Sequence, residues 1–248
     1  MRSFEELVAE AEAVSVDGWD FSWLDGRASE ERPPWGYQRL VGQRMARASV
    51  ALDVQTGGGE VLAGVPRLAP TTVATEAWPP NRARARRNLA HRGVTVVADD
   101  DRPPFPFRGA VFDLVVSRHP VHAWWSEIAR VLAPGGTYLS QEVGPASVFE
   151  LIEFFLGPVR EDGRGDQKAK ALAEAAGLEV VDLRTARLRM EFHDVGAVVY
   201  FLRKVIWLVP GFTVAEYLPK LRDLHDTITA DGPFVAHSSR FLIEARKP

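Results

Sequence analysis

The chain has 248 residues, 46% hydrophobic and 25% charged, with a formal net charge of −3. That length suits one large α/β domain with a solid core, and the charge gives no overall attraction to nucleic acid or anionic membrane. With no cysteine, disulfides, thiolate metal sites, iron–sulfur clusters and a cysteine nucleophile are excluded.

In chain order, Ser3 to Val14 reads as a helix whose Ser3 and Glu6 form a capping box. The opening MRSFEELVAEAEA is acidic and amphipathic. No signal peptide is therefore expected there, and the expected location is the cytoplasm. Trp19, Phe21 and Trp23 follow, then a loop over Pro33–Tyr37 and a helix over Gln38–Ala48. Val50–Val54 is a short apolar run that leads into Gly57-Gly58-Gly59. Next come a helical stretch, a strand over Thr72–Glu76, an arginine-rich helix over Asn81–His91, and strands over Val94–Asp99 and Phe112–Ser117. A helix over Ala123–Leu132 runs into Pro134-Gly135-Gly136 before a strand at Thr137–Glu142. The remainder reads as helices at Ser147–Leu156 and Gln167–Ala176, extended chain at Leu178–Phe192, helices at Val195–Leu208 and Thr213–Thr229, and a last strand at Ser239–Ala245. The apolar stretch Val195–Pro210 is too short to span a bilayer and carries Arg203 and Lys204.

Short apolar strands alternating with helices indicate βαβ units and a parallel sheet covered on both faces. The expected fold is α/β: a Rossmann-like, seven-stranded, mostly parallel sheet, with a helical cover inserted near the C-terminus. One domain over 1–248 is expected, with N-terminal helices in 1–48, a ligand-binding core in 49–145, and substrate-side helices and the last two strands in 146–248. Ligands in such sheets bind outside the strand C-termini, where strand order reverses.

Three features mark that edge. The first strand ends in Asp53 and a triple glycine follows, where glycines let backbone approach a ligand. Glu76 ends the next strand, placed to accept hydrogen bonds from a ribose diol, and Asp99-Asp100 end the third, where a side chain can accept from an adenine amino group. Their order on successive strands points to a bound nucleoside.

On these residues the chain resembles class I S-adenosylmethionine (SAM)-dependent methyltransferases. ALDVQTGGGE is similar to the family's first motif, with Asp53, Gly57 and Gly59 on three of its positions. Glu76 falls on the ribose-binding acid, and Asp99, followed by DDRPPFPF, on the acid before the family's Leu-Pro-Phe. FDLVVSR and EIARVLAPGGTYLSQE match the fourth and fifth strand segments, and the resemblance covers about residues 40–145. It implies SAM as cofactor, with Gln55, Thr56, Ala77, Asp100 and Ser117 also in its site. Gln55 departs from the pattern, since the family has its first glycine there; the side chain is expected to change the turn or touch the cofactor. A dinucleotide dehydrogenase would want G-x-G-x-x-G, and that spacing from Gly57 puts Leu62 at the last glycine.

The sulfonium methyl is already activated, so the implied work is in-line alignment of a nucleophile and exclusion of water. His119 and His122 are candidate bases, with Glu142 as another. Trp35 and Tyr37 are expected to close over the cofactor, and Tyr200 and Trp207 to line an apolar substrate pocket. No His/Asp/Glu spacing compels a metal site. A small-molecule acceptor is the leading reading. NRARARRNLAHRG leaves an rRNA or tRNA substrate open, although it holds no aromatic residue for base stacking. A SAM-binding protein without transferase activity is the third.

Overall fold

A computed structural model describes residues 2–18, 20–160 and 165–248; Trp19 lies outside them. The elements are α1 (Phe4–Ala13), β1 (Ala28–Glu30), α2 (Tyr37–Met45), β2 (Val50–Asp53), α3 (Glu60–Ala63), β3 (Thr71–Glu76), α4 (Pro79–Leu89), β4 (Thr95–Ala98), β5 (Phe112–Arg118), α5 (Trp125–Val131), β6 (Leu132–Val143), α6 (Phe149–Leu156), α7 (Asp166–Ala175), β7 (Glu179–Phe192), α8 (Val195–Lys204), α9 (Val214–Asp231) and β8 (Phe234–Arg246). Among the described residues, no helix is long and apolar enough to cross a membrane.

The strands form one mixed sheet in the order β1-β7-β8-β6-β5-β2-β3-β4. Pairs β2–β3, β2–β5, β3–β4 and β5–β6 are parallel, while β6–β8 and β1–β7 are antiparallel. The sheet has eight strands, not the expected seven. The extra one, β1, is three residues long (Ala-Ser-Glu) and pairs with Phe192–Met190. It carries no apolar run, so only its tertiary partner makes it a strand.

The chain divides into two compact units. One comprises Pro33–Pro145, Gly163–Ala186 and Arg240–Pro248. Its strands alternate between two cores, as a period of two requires. Ala51, Leu114, Val116, Leu139 and Leu242 pack with Leu40, Val41, Leu62, Ala85 and Leu89 from α2, α3 and α4. Leu52, Val115, Tyr138, Phe241 and Ile243 pack with Trp125, Ile128, Ala169 and Ala173 from α5 and α7. Each fully buried Leu or Val contributes roughly 1.5–3 kcal/mol, which fixes strand register: a slip of one residue would exchange the two sets. Because β2 lies between β3 and β5, the chain leaves β2 in one direction along the sheet and crosses back to β5 in the other. The crevice at the C-terminal ends of β2 and β5 is therefore the switch point.

The other unit comprises Met1–Arg32, Ala146–Asp162 and Arg187–Ser239. Its core is built on α8, where every residue from Val195 to Leu202 is buried. Asp194 caps that helix by accepting from the Ala197 N–H at 2.8 Å, and Arg27 grips the same carboxylate with two bonds of 2.9 Å. Gly196 permits the close approach of α1, since a Cβ there would stand 2.7 Å from the Leu7 carbonyl oxygen. The helix expected to reach Leu208 stops at Lys204.

Candidate cofactor-binding site

The site begins where β2 ends. Asp53 is buried and accepts the Thr56 hydroxyl at 2.6 Å. Burial, reinforced by the charge of Glu76, pushes its carboxyl up to about 7. The chain then turns through three left-handed residues, Gln55 at φ 59°, Gly57 at φ 63° and Gly59 at φ 80°. Gly59 has no alternative: a Cβ there would meet Leu89 Cδ1 at 2.8 Å.

Glu76, at the end of β3, organises this turn. One carboxylate oxygen accepts the Gly57 N–H at 2.8 Å and the other the Trp78 N–H at 2.9 Å. Burial holds its carboxyl above the usual range. The chain past β3 is held by Arg82, which donates to the Ala77 carbonyl at 3.1 Å.

Beyond β4, alternation sends Asp99 inward and Asp100 outward, where Asp100 accepts the Arg102 N–H. Asp101, at φ 56°, turns back inward. Asp99 Oδ2 and Asp101 Oδ1 are both out of reach of water and have no hydrogen-bond partner. Burial, with the charges of Glu76, Asp99 and Asp100, pushes the Asp101 carboxyl up to about 7. The sequence reading missed Asp101. Its only signal was a third acid in a row, and its backbone conformation is what turns it inward.

The other side of the crevice is the loop between β5 and α5. Gln55 clasps it: its side-chain amide donates to the His122 carbonyl at 3.0 Å and accepts the Val121 N–H at 2.6 Å. Both ends of the side chain are engaged with protein backbone, and Gln55 itself changes the turn, at φ 59°. Trp124 ties the same loop to the Asp101 carbonyl at 2.7 Å. The Ser117 hydroxyl is buried and donates to the Val54 carbonyl at 2.8 Å, joining the ends of β5 and β2 instead of facing a ligand.

His119 does not fit the role of base. The Trp35 indole N–H donates to Gln141 Oε1 at 2.7 Å, which orients the Gln141 amide so that its NH₂ meets His119 Nε2 at 3.0 Å. That nitrogen's lone pair is occupied. Burial and the charges of Arg240 and Arg118 push the imidazole down to about 3. His122 is exposed, with its ring 5.5 Å from that of Trp124. Glu142, near the end of β6, is pushed up to about 7 by burial and keeps a buried oxygen without a donor.

The expected aromatic lids are also placed differently. Trp35 and Tyr37 are both buried, and the Tyr37 hydroxyl donates to the Ser117 carbonyl at 2.7 Å. Once its polar atom is satisfied, an aromatic ring belongs in a core. In the other unit, Tyr200 is a core residue whose ring lies tilted against that of Trp23, centroids 4.8 Å apart, and whose hydroxyl donates to the Asp20 carbonyl. Trp207 is 58% exposed.

The residues fit a SAM-like nucleoside. A turn with little side-chain bulk stands beside carboxylates short of donors, and a nucleoside brings hydroxyl and amino donors. Residues 52–140 match the methyltransferase domain family. This segment is a class I methyltransferase domain, and its methyl donor is SAM. No curated relative matches the sequence. Among solved structures, a Bacillus halodurans C-125 protein provisionally described as a methyltransferase is 20% identical, with TM-score 0.60 over 84% of this chain and 98% of that one. The [4+2]-cyclase SpnF is 19% identical, with TM-score 0.54 over 85% and 80%. Geranyl diphosphate C-methyltransferase from Streptomyces coelicolor A3(2) is 14% identical, with TM-score 0.52 over 85% and 78%. At these identities the likeness is one of fold. Among the described residues of the methyltransferase domain and the rest of the chain, no group of three or more His, Asp and Glu could hold a metal ion.

Proposed function

We propose that this methyltransferase transfers the methyl group of SAM to a small-molecule acceptor. The observation that carries the reading is the Glu76 carboxylate, which fixes the Gly57 turn while standing at the strand end beside Asp99 and Asp101. Glu76 would hold the ribose, Asp99 the adenine amino group, and the Gly57–Gly59 turn the amino acid end. Bound SAM supplies an electrophilic methyl, and the chain's own work is to align the acceptor and exclude water. Glu142 fits a proton acceptor better than His119. Burial has brought its carboxyl close to neutral pH, where a general base works best.

A small acceptor is favoured over RNA by how the arginines of NRARARRNLAHRG are used. Arg82, Arg86 and Arg92 donate to backbone carbonyls, and Arg84 pairs with Glu60. A solved neighbour acts on geranyl diphosphate, which supports the same class. SAM binding without methyl transfer is the second reading. His119 is engaged with Gln141, and a [4+2]-cyclase shares the fold.

Labelled methyl from SAM is expected in the metabolite fraction of a cell extract, not in RNA or protein. Label in RNA would overturn the small-molecule reading. Tight SAM binding with no label in any fraction would favour the second reading.

A further inference from the structure

We propose that Asp101 is a second nucleoside-binding carboxylate, and that it must lose a proton for the nucleoside to bind. This rests on the SAM-binding reading and adds to it a residue that the sequence reading did not assign.

The reasoning is a count of donors and acceptors. Glu76 already accepts one backbone N–H on each oxygen. Asp99 and Asp101 each keep one buried oxygen with no partner. An unpartnered carboxylate oxygen removed from water is costly. Two things relieve it: a proton on one of the acids, or a ligand that brings donors.

The charges facing Asp101 are Glu76 on β3 and Asp99 and Asp100 beyond β4, all of its own sign. Arg82 lowers the Glu76 carboxyl, but among the described residues no cation acts on Asp101. Arg82 on α4 is engaged with the carbonyls of Glu76 and Ala77, and Arg130 on α5 with Glu127 and the carbonyls of Phe105 and Phe107. Trp124, packed from the loop before α5, donates only to the Asp101 main chain. Without ligand, then, a proton sits on Asp101 up to about pH 7. Ribose hydroxyls and an adenine amino group supply the missing donors. They interact best with an ionised carboxylate, so binding expels the proton.

The test is calorimetric binding of 5′-methylthioadenosine to the full chain between about pH 6 and pH 8. This nucleoside has no group titrating in that interval, so proton linkage belongs to the protein. With Asp101 titrating near 7, the ionised fraction and hence the affinity rise about tenfold across the interval. Up to one proton is released per ligand, read by repeating the titration in buffers of different ionisation enthalpy. In Asp101→Asn the slope and the proton release vanish, and affinity at the upper pH falls about tenfold. If that variant does not fold, Asp101→Ser takes its place in the same titrations. Flat wild-type affinity, proton uptake, or a slope that persists in Asp101→Asn overturns the proposal. Failure of the wild type to bind SAM, S-adenosylhomocysteine or the nucleoside at any pH overturns the cofactor reading and this one with it.

Discussion

Replacing Glu76 with Gln separates the two tasks assigned to that side chain. The carboxylate is 7% exposed and accepts a backbone N–H on each oxygen, from Gly57 at 2.8 Å and Trp78 at 2.9 Å. An amide of the same shape has one acceptor oxygen, so its NH₂ must face the second N–H. One charge-assisted bond is lost, worth about 1.5–3 kcal/mol, and a buried donor is left unpaired at about 1–3 kcal/mol. Removing a charge whose burial already raises its pKa, close to Asp53 and Asp101, returns part of that. The net loss of stability should be about 2 kcal/mol, measured by urea unfolding. SAM affinity, measured by calorimetry on the folded variant, should fall about ten- to a hundredfold, the equivalent of one charged hydrogen bond. Unchanged stability would mean that Glu76 does not hold the turn. Affinity within twofold of wild type would mean that it does not hold the ribose.

Other substitutions test the turn and its surroundings. Gly59→Ala should destabilise by about 2–3 kcal/mol and disrupt SAM binding, because its Cβ meets Leu89 as well as an unfavourable φ. Gly57→Ala has open space around it and should cost only about 1 kcal/mol for its φ of 63°; equal losses in denaturant unfolding would refute the distinction. Gln55→Gly should speed hydrogen exchange at the Val121 amide about tenfold with little net change in stability, since the lost bonds are offset by relief of a left-handed non-glycine residue. No change in exchange would show that the clasp does not hold the loop. Asp53, lifted to about 7 by burial, is protonated more readily folded than unfolded. Its contribution to stability is full below about pH 4 and lost as pH rises through about 7. Asp53→Asn should therefore flatten the decline in melting temperature between about pH 5 and pH 8, and a parallel decline in both proteins would refute the assignment.

Much of this was legible in the sequence because it depended on local pattern. Short runs of four to seven residues marked the parallel strands, and burial on both faces of β2, β3 and β5 followed. Ser3 and Glu6 gave the first cap, which forms as expected. Glu76 and Asp99 could be found because a strand's end is a fixed place relative to its sheet. Residues past the strand were harder. Asp101 enters the site only through a positive φ two residues beyond Asp99. The clasp made by Gln55 could not be read because its partners, Val121 and His122, are more than sixty residues away in sequence. β1 carries no pattern of its own and exists through its pairing with β7.

The histidines show why the acceptor half of the site resisted a sequence reading. A histidine past a strand end is chemically able to be a base, and the sequence carries no sign of what occupies its nitrogens. In the fold, Trp35 sets Gln141, and Gln141 fills the lone pair of His119. The three residues come from a loop before α2, from β6 and from the end of β5, so no local pattern could have joined them. The same burial that lowers His119 raises Glu142, because removal from water always favours the neutral form. A histidine pushed to about 3 is neutral but too weak a base to take a proton at neutral pH. A carboxyl lifted to about 7 is a base of useful strength. Burial thus weakens His119 as a proton acceptor and favours Glu142, the acid that the sequence offered beside the two histidines.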